Sequence, residues 1–370
     1  MTGHLSLDTR IARFLEDSTA DRFESLALET FAYQYEHNLP YRQFCDRRRL
    51  TPEQVREWRR IPAVPTSAFK VAELTCRPGY RSTTFLTSGT TRGVERRGRH
   101  LVADLGLPHA AILSNAQAHL FPDLALGADR MLLLSLTPPP ALRPHSSLVH
   151  MITLLIERWG APGSGHLGTA TGLDAERLSD LLRHAEAEER PVALLGTTAA
   201  FALFFTYCDA QAAAWTLPAG SRLMDTGGGK GLPAAGMIFA DRPVFLETCR
   251  RTFGLPPHAV VNEYGMTELS SQFYDEGLAG RTTTDRKAIP HWVRVRPIDP
   301  RTDDDVPNGA PGLLRLYDLA NLHSVMAIQT DDVGVCSTEA AGRFQLLGRA
   351  AGAEPRGCSL DPAAQSVSAP

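Results

Sequence analysis

Apolar residues recur at helical spacing early in the chain and in short continuous runs further on. The stretch FESLALETFAYQYEHN, residues 23–38, sets apolar and aromatic side chains three and four apart and predicts a helix. LTPEQVREWRR, 50–60, predicts another, with Thr51 as N-cap and Pro52 at the first helical position, where the missing N–H costs nothing. The first eighty residues therefore read as mainly helical, until IPAVPTSAF (61–69) breaks the pattern with two prolines. From about residue 83, short apolar runs alternate with helical stretches. MLLLSL (131–136), PVALLG (191–196), RLMDTGGG (222–229) and AVVNEYG (259–265) read as strands, the last two running into glycine turns, and SLVHMITLLIERWG (147–160) reads as a helix. Between 290 and 348 the pieces HWVRVRPI, GLLRLYDL and FQLLGR predict a more antiparallel region. Strands alternating with helices predict an α/β fold whose site lies in the loops at strand ends.

Composition narrows the classes. At 370 residues, 43% hydrophobic and 21% charged, the chain suits a soluble globular protein, either two domains or one large domain with an appendage. A net charge of -3 offers no footprint for nucleic acid or an anionic membrane surface. The lysines are only Lys70, Lys230 and Lys287, so arginine counts say little, and a lysine inside a glycine run stands out. Six cysteines lie far apart without a C-x-x-C pair, and the charged start lacks a long apolar run; both predict reduced thiols in the cytoplasm. The most apolar stretch, VALLGTTAAFALFF (192–205), is shorter than a membrane span and reads as a buried strand–turn–helix passage. The tail LDPAAQSVSAP is polar and Ala/Pro-rich, a composition without a core of its own.

Four stretches carry chemistry. FLTSGTTRG (85–93) gathers three Thr, one Ser and two Gly. Alone it reads as a polar loop, yet its unhindered amides and hydroxyls suit a phosphate. NEYGMTELSSQFYD (262–275) follows a predicted strand and offers Tyr264 for stacking on a base, Thr267 for a phosphate oxygen and Glu268 for magnesium. QTDDVG (329–334) sets paired carboxylates beside a glycine, suited to ribose hydroxyls, and LLGRAAG (346–352) supplies Arg349, a clamp for ribose or phosphate. Each piece is weak by itself; their order along one chain makes coincidence improbable.

With these motifs the chain resembles the adenylate-forming enzymes, and within them the acyl-protein synthetase branch of bacterial bioluminescence. TSGTT, residues Thr87, Ser88, Gly89, Thr90 and Thr91, resembles their phosphate loop. YGMTE, residues Tyr264, Gly265, Met266, Thr267 and Glu268, together with the preceding Glu263, resembles their nucleotide motif. Asp332 is the ribose candidate, and Gly348-Arg349 resembles the start of their hinge. DTGGGKG, with Gly228, Gly229 and Lys230, corresponds to the adenine-facing region, although a lysine reaching solvent from a turn fits the residues equally well. The near-terminal RGCSL resembles the site where the branch carries its acyl group, which assigns that role to Cys358, with Arg356 favouring the thiolate.

The resemblance implies a mixed α/β adenylation domain over 1–347 and a short remnant of the C-terminal lid over 348–370. It implies ATP and Mg2+ as cofactors, a carboxylic acid, by default a long-chain fatty acid, as substrate, and an acyl reductase or acyl carrier protein as partner. His150 falls where relatives gate the acyl pocket, though a lone helical histidine is more often simply packed. Departures stand out: Arg92 replaces a glycine, Arg96, Arg97 and Arg99 stand where a phosphate lysine is usual, Gly352 replaces a hinge Asp, and no lysine follows Arg349. Direct transfer to coenzyme A or a carrier phosphopantetheine, and a non-catalytic scaffold, remain alternative expectations.

Overall fold

The computed structural model describes residues 5–87, 97–124, 130–227, 241–280, 285–336 and 342–350. The described residues form two compact units, one within 5–115, 265–273 and 285–350, the other within 116–264 and 274–280.

In the first unit, helices Leu7–Glu16, Phe23–His37 and Leu39–Arg47 open the chain. Asn38 joins the last two: its N–H donates to Gln34 O, ending one helix, and its side chain accepts the Tyr41 N–H, starting the next. The helix expected over 50–60 does not form. Thr51–Val55 makes a single turn, and Trp58–Arg60 is a lone 3-10 turn. Val55, Trp58 and Ile61 are all buried, three residues apart. That spacing is met by a 3-10 turn, in which side chains at i and i+3 eclipse, better than by a continuous helix. The helical reading therefore holds to Arg47 and not to residue eighty.

The unit's sheet runs Arg286–Ala288, Arg343–Arg349, Ala327–Cys336, Gly312–Asp318, Val293–Ile298, antiparallel along this path, with Val64–Pro65 added parallel to Ala327–Cys336. This is the antiparallel region the sequence predicts. A separate hairpin pairs Thr83–Leu86 with Arg99–Val102.

The second unit holds a parallel sheet ordered Gly165–His166, Leu132–Ser135, Val192–Thr197, Arg222–Thr226, Val260–Tyr264. Val192–Thr197 is buried at every position, as a parallel strand covered on both faces must be. Thr197 then caps helix Thr198–Gln211 by accepting the Ala200 N–H at 3.0 Å, so strand passes into helix directly. Phe201, Phe204, Phe205 and Cys208 from this helix join Trp215, Phe245 and Phe253 in the core, so FALFFTY is core. Helix Ser147–Trp159 forms as read. Among the described residues no helix is long and apolar enough to cross a membrane.

Candidate active site

Thr87 follows the hairpin strand Thr83–Leu86 and pairs with Gly98. Its N–H donates to Gly98 O at 2.9 Å, and its hydroxyl accepts the Gly98 N–H at 2.8 Å. A Cβ on Gly98 would meet the Thr87 side chain at 3.0 Å, so only glycine allows this pairing without adjustment. Ser88, Gly89, Thr90, Thr91, Arg92 and Arg96 lie outside the described residues. Arg99 is half exposed and pairs with Glu73 at 2.9 Å.

His100, which follows the arginine run, is packed away from solvent. It is 2% exposed, and Nδ1 lies 2.7 Å from the Thr267 carbonyl oxygen. A carbonyl can only accept, so the proton sits on Nδ1. Burial pushes this imidazole down to about 4. An unfolded histidine takes its proton near pH 6.5. The unfolded chain therefore binds the extra proton first, and stability falls as pH drops from 6.5 toward 4. Asp318 acts oppositely: burial raises its carboxyl from 3.8 to about 6, so the native state binds the proton first and stability falls as pH rises through that window. His100→Gln keeps an N–H for Thr267 and leaves Asp318 untouched. Between pH 7 and 4.5 the wild type is expected to lose about 2–3 kcal/mol more than this variant, read as the difference in urea midpoints.

Thr267 is half-buried and Glu268 is 2% exposed, in a turn closed by the Leu269 N–H donating to Met266 O. Gly265 precedes it. Asp332 and Arg349, singled out from separate motifs, face each other across neighbouring strands. Arg349 Nε lies 3.2 Å from Asp332 Oδ1, and Nη2 lies 3.1 Å from Asp331 Oδ2. Buried Thr330 sets this end of the strand: its hydroxyl donates to Leu314 O at 2.8 Å and accepts the Asp332 N–H at 3.1 Å. Gly348 takes φ +124° beside the bulge at Val333/Gly334, a conformation L side chains rarely adopt.

In the second unit the carboxyl ends of three parallel strands carry a polar network. Glu263 is buried and accepts the Thr226 hydroxyl; Tyr264, half-buried, ends its strand. Asp225 accepts from Thr198 Oγ1 at 2.9 Å, Arg242 Nη1 at 2.6 Å and Asn262 Nδ2 at 2.9 Å. Asp275 exchanges backbone and side-chain bonds with the Asn262 main chain at 3.0–3.1 Å. Sequence reading missed Asp225, Thr198, Arg242 and Asp275 as supports. The available signal was position, since Asp225 stands just before the glycine run and Asp275 closes NEYGMTELSSQFYD. Gly227, at φ +85°, begins that run. Gly228, Gly229, Lys230 and Cys358 lie outside the described residues. His150 is half-buried on helix Ser147–Trp159.

The second unit's parallel sheet, polar at its carboxyl ends, and the first unit's antiparallel sheet with its Asp–Arg pair are the elements of the mixed α/β fold of adenylate-forming ligases. A 2-hydroxyisobutyryl-CoA ligase solved with 2-HIB-AMP and CoA shares it, with TM-score 0.61 at 14% identity over 88% of this chain and 74% of that one. The particular family follows from the sequence model described as "Acyl-protein synthetase, LuxE", which matches residues 2–99 and 169–365; the chain belongs to this family. It is an acyl-activating ligase that forms an acyl-adenylate and passes on the acyl group. Similar proteins include the long-chain-fatty-acid–luciferin-component ligases of Vibrio harveyi and Aliivibrio fischeri. The first is 24% identical over 89% of this chain and 84% of its own length, the second 23% over 84% and 78%.

Proposed function

We propose that the protein activates a long-chain fatty acid with ATP, carries the acyl group on Cys358 and delivers it to a partner protein, an acyl reductase or acyl carrier, in the cytoplasm. In the first step a carboxylate oxygen attacks the α-phosphorus, the α–β anhydride bond breaks and pyrophosphate leaves. In the second the Cys358 thiolate attacks the acyl carbon, the mixed anhydride breaks and AMP leaves; the thiol proton goes to solvent.

The loop from Thr87 to Thr91 would hold the leaving phosphates. The Thr87 hydroxyl accepts from Gly98 and so keeps its own O–H to donate. Thr267 would reach a phosphate oxygen and Tyr264 would face the base, flanked by Glu263, Gly265, Met266, Gly228, Gly229 and Lys230. Asp332, oriented by Arg349, would take the ribose hydroxyls. Mg2+ favours one or two carboxylates plus phosphate oxygens over a cage of protein ligands. Glu268 would supply one such carboxylate, sharing the ion with the phosphates of ATP. Bound there, the metal would offset the charge gathering on the phosphates. His150 would border the acyl pocket.

The observation that carries the thioester step is the state of the other thiols. Burial pushes Cys45, Cys76 and Cys208 up to about 12, Cys336 to about 11, and Cys249 well above its ordinary value. A thiolate is the nucleophile, so these five are unsuited to acyl transfer. The family match runs on through Cys358. Acid-dependent ATP–pyrophosphate exchange across a chain-length series tests the activation step. Exchange with a long-chain optimum is expected; exchange with no fatty acid would overturn the substrate class.

A further inference from the structure

Glu268 sits in a short turn whose backbone is gripped from outside by side chains that no motif includes. Strand Gly312–Asp318 ends at Asp318, and the 3-10 turn Leu319–Asn321 follows. The Asp318 carboxylate, fully buried, accepts the N–H of Ser270 at 3.1 Å, the N–H of Ser271 at 2.9 Å, the Ser271 hydroxyl at 2.8 Å and the N–H of Ala320 at 3.0 Å. Asn321, also buried, donates from Nδ2 to the Glu268 carbonyl at 2.8 Å and to Val325 O at 3.2 Å, while its Oδ1 accepts the Ser270 hydroxyl. On the other side His100 donates to the Thr267 carbonyl.

Two consecutive carbonyls, of Thr267 and Glu268, and two consecutive amides, of Ser270 and Ser271, are thus fixed by three side chains from two other segments. A helix or strand would satisfy these groups with backbone partners. Here side chains do so, which leaves the turn non-repetitive and still fully specified. Four donors converge on the Asp318 carboxylate and offset part of the cost of burying it.

We propose that Asn321 and Asp318 are positioning residues for Glu268, holding its main chain so that its carboxylate is aimed at the metal-bound nucleotide before ATP arrives. This rests on the proposed role of Glu268. The two residues touch neither substrate nor metal; they act by keeping the turn from relaxing into conformations in which Glu268 points elsewhere.

The test compares four variants of the full chain: Asn321→Ala, Asn321→Asp, Glu268→Gln and Ser324→Ala. Ser324 lies in the same loop and donates to Leu74 O at 2.9 Å, away from Glu268, so it reports the effect of losing one buried hydrogen bond there. Mg-ATP affinity is measured by calorimetry without acid, beside ATP in EDTA, and melting temperature is read for each protein. Asn321→Ala and Asn321→Asp are expected to weaken Mg-ATP binding by ~10–100-fold while leaving metal-free ATP binding unchanged. Ser324→Ala should melt lower yet bind Mg-ATP as the wild type does. If Glu268→Gln loses the magnesium-dependent affinity and both Asn321 variants keep it, the positioning role is wrong and the Glu268 reading stands. If Glu268→Gln itself keeps it, the reading of Glu268 fails first.

Discussion

Replacing Glu268 by Gln is expected to lower acid-dependent ATP–pyrophosphate exchange by at least ~10²-fold without unfolding the protein. The side chain is 2% exposed, and the amide is nearly its exact size, so no cavity opens. Only the charge goes. The melting temperature without ligand reports what the carboxylate contributes to the empty fold, separately from what it contributes to binding. On the proposed role, what disappears is the interaction with magnesium on the triphosphate. Wild type should therefore gain thermal stability from Mg-ATP, as any ligand selective for the native state provides, and Glu268→Gln should gain none. A variant that melts lower and still responds to Mg-ATP would assign Glu268 to packing alone.

Cys358→Ser is expected to separate the two half-reactions. Exchange reads only adenylate formation, which needs no thiol, so it should persist at the wild-type rate. The acyl-protein should vanish, because an alkoxide is far harder to form at neutral pH than a thiolate and serine offers almost none. None of the other five cysteines replaces it, since burial raises each of their thiols. Delivery to an acyl reductase should fail with it. If delivery to coenzyme A or a carrier thiol continued undiminished in Cys358→Ser, the direct ligase would be the correct description.

The parallel strands were legible because burial on both faces writes itself as unbroken apolar runs: VALLG, RLM and VV need no knowledge of their neighbours. The helix over 50–60 was not, because Pro52 and Thr51 describe how a helix starts, and tertiary burial of Val55, Trp58 and Ile61 decided that it would not continue. Asp332 and Arg349 were found singly, as members of motifs. Their pairing depends on strand register, which distant turns and the bulge at Gly334 set.

The supports were hardest to read. His100, Asp225, Asp318 and Asn321 act by accepting or donating to backbone groups far away in sequence, and a lone polar residue carries no periodicity to reveal that. Asp318 falls inside the predicted piece GLLRLYDL with nothing to mark it, and its burial is visible only once Ser270 and Ser271 are brought against it. Residues in a recognisable motif thus surface early, and those that hold its backbone in shape surface only in three dimensions.

The central claim, that this chain makes an acyl-adenylate and keeps the acyl group as a thioester, is tested most directly by intact-protein mass spectrometry after incubation with Mg-ATP and a long-chain fatty acid. The account predicts one added acyl mass, dependent on ATP, released by neutral hydroxylamine and mapped to the peptide containing Cys358. Pyrophosphate released with no mass added to the protein would contradict it.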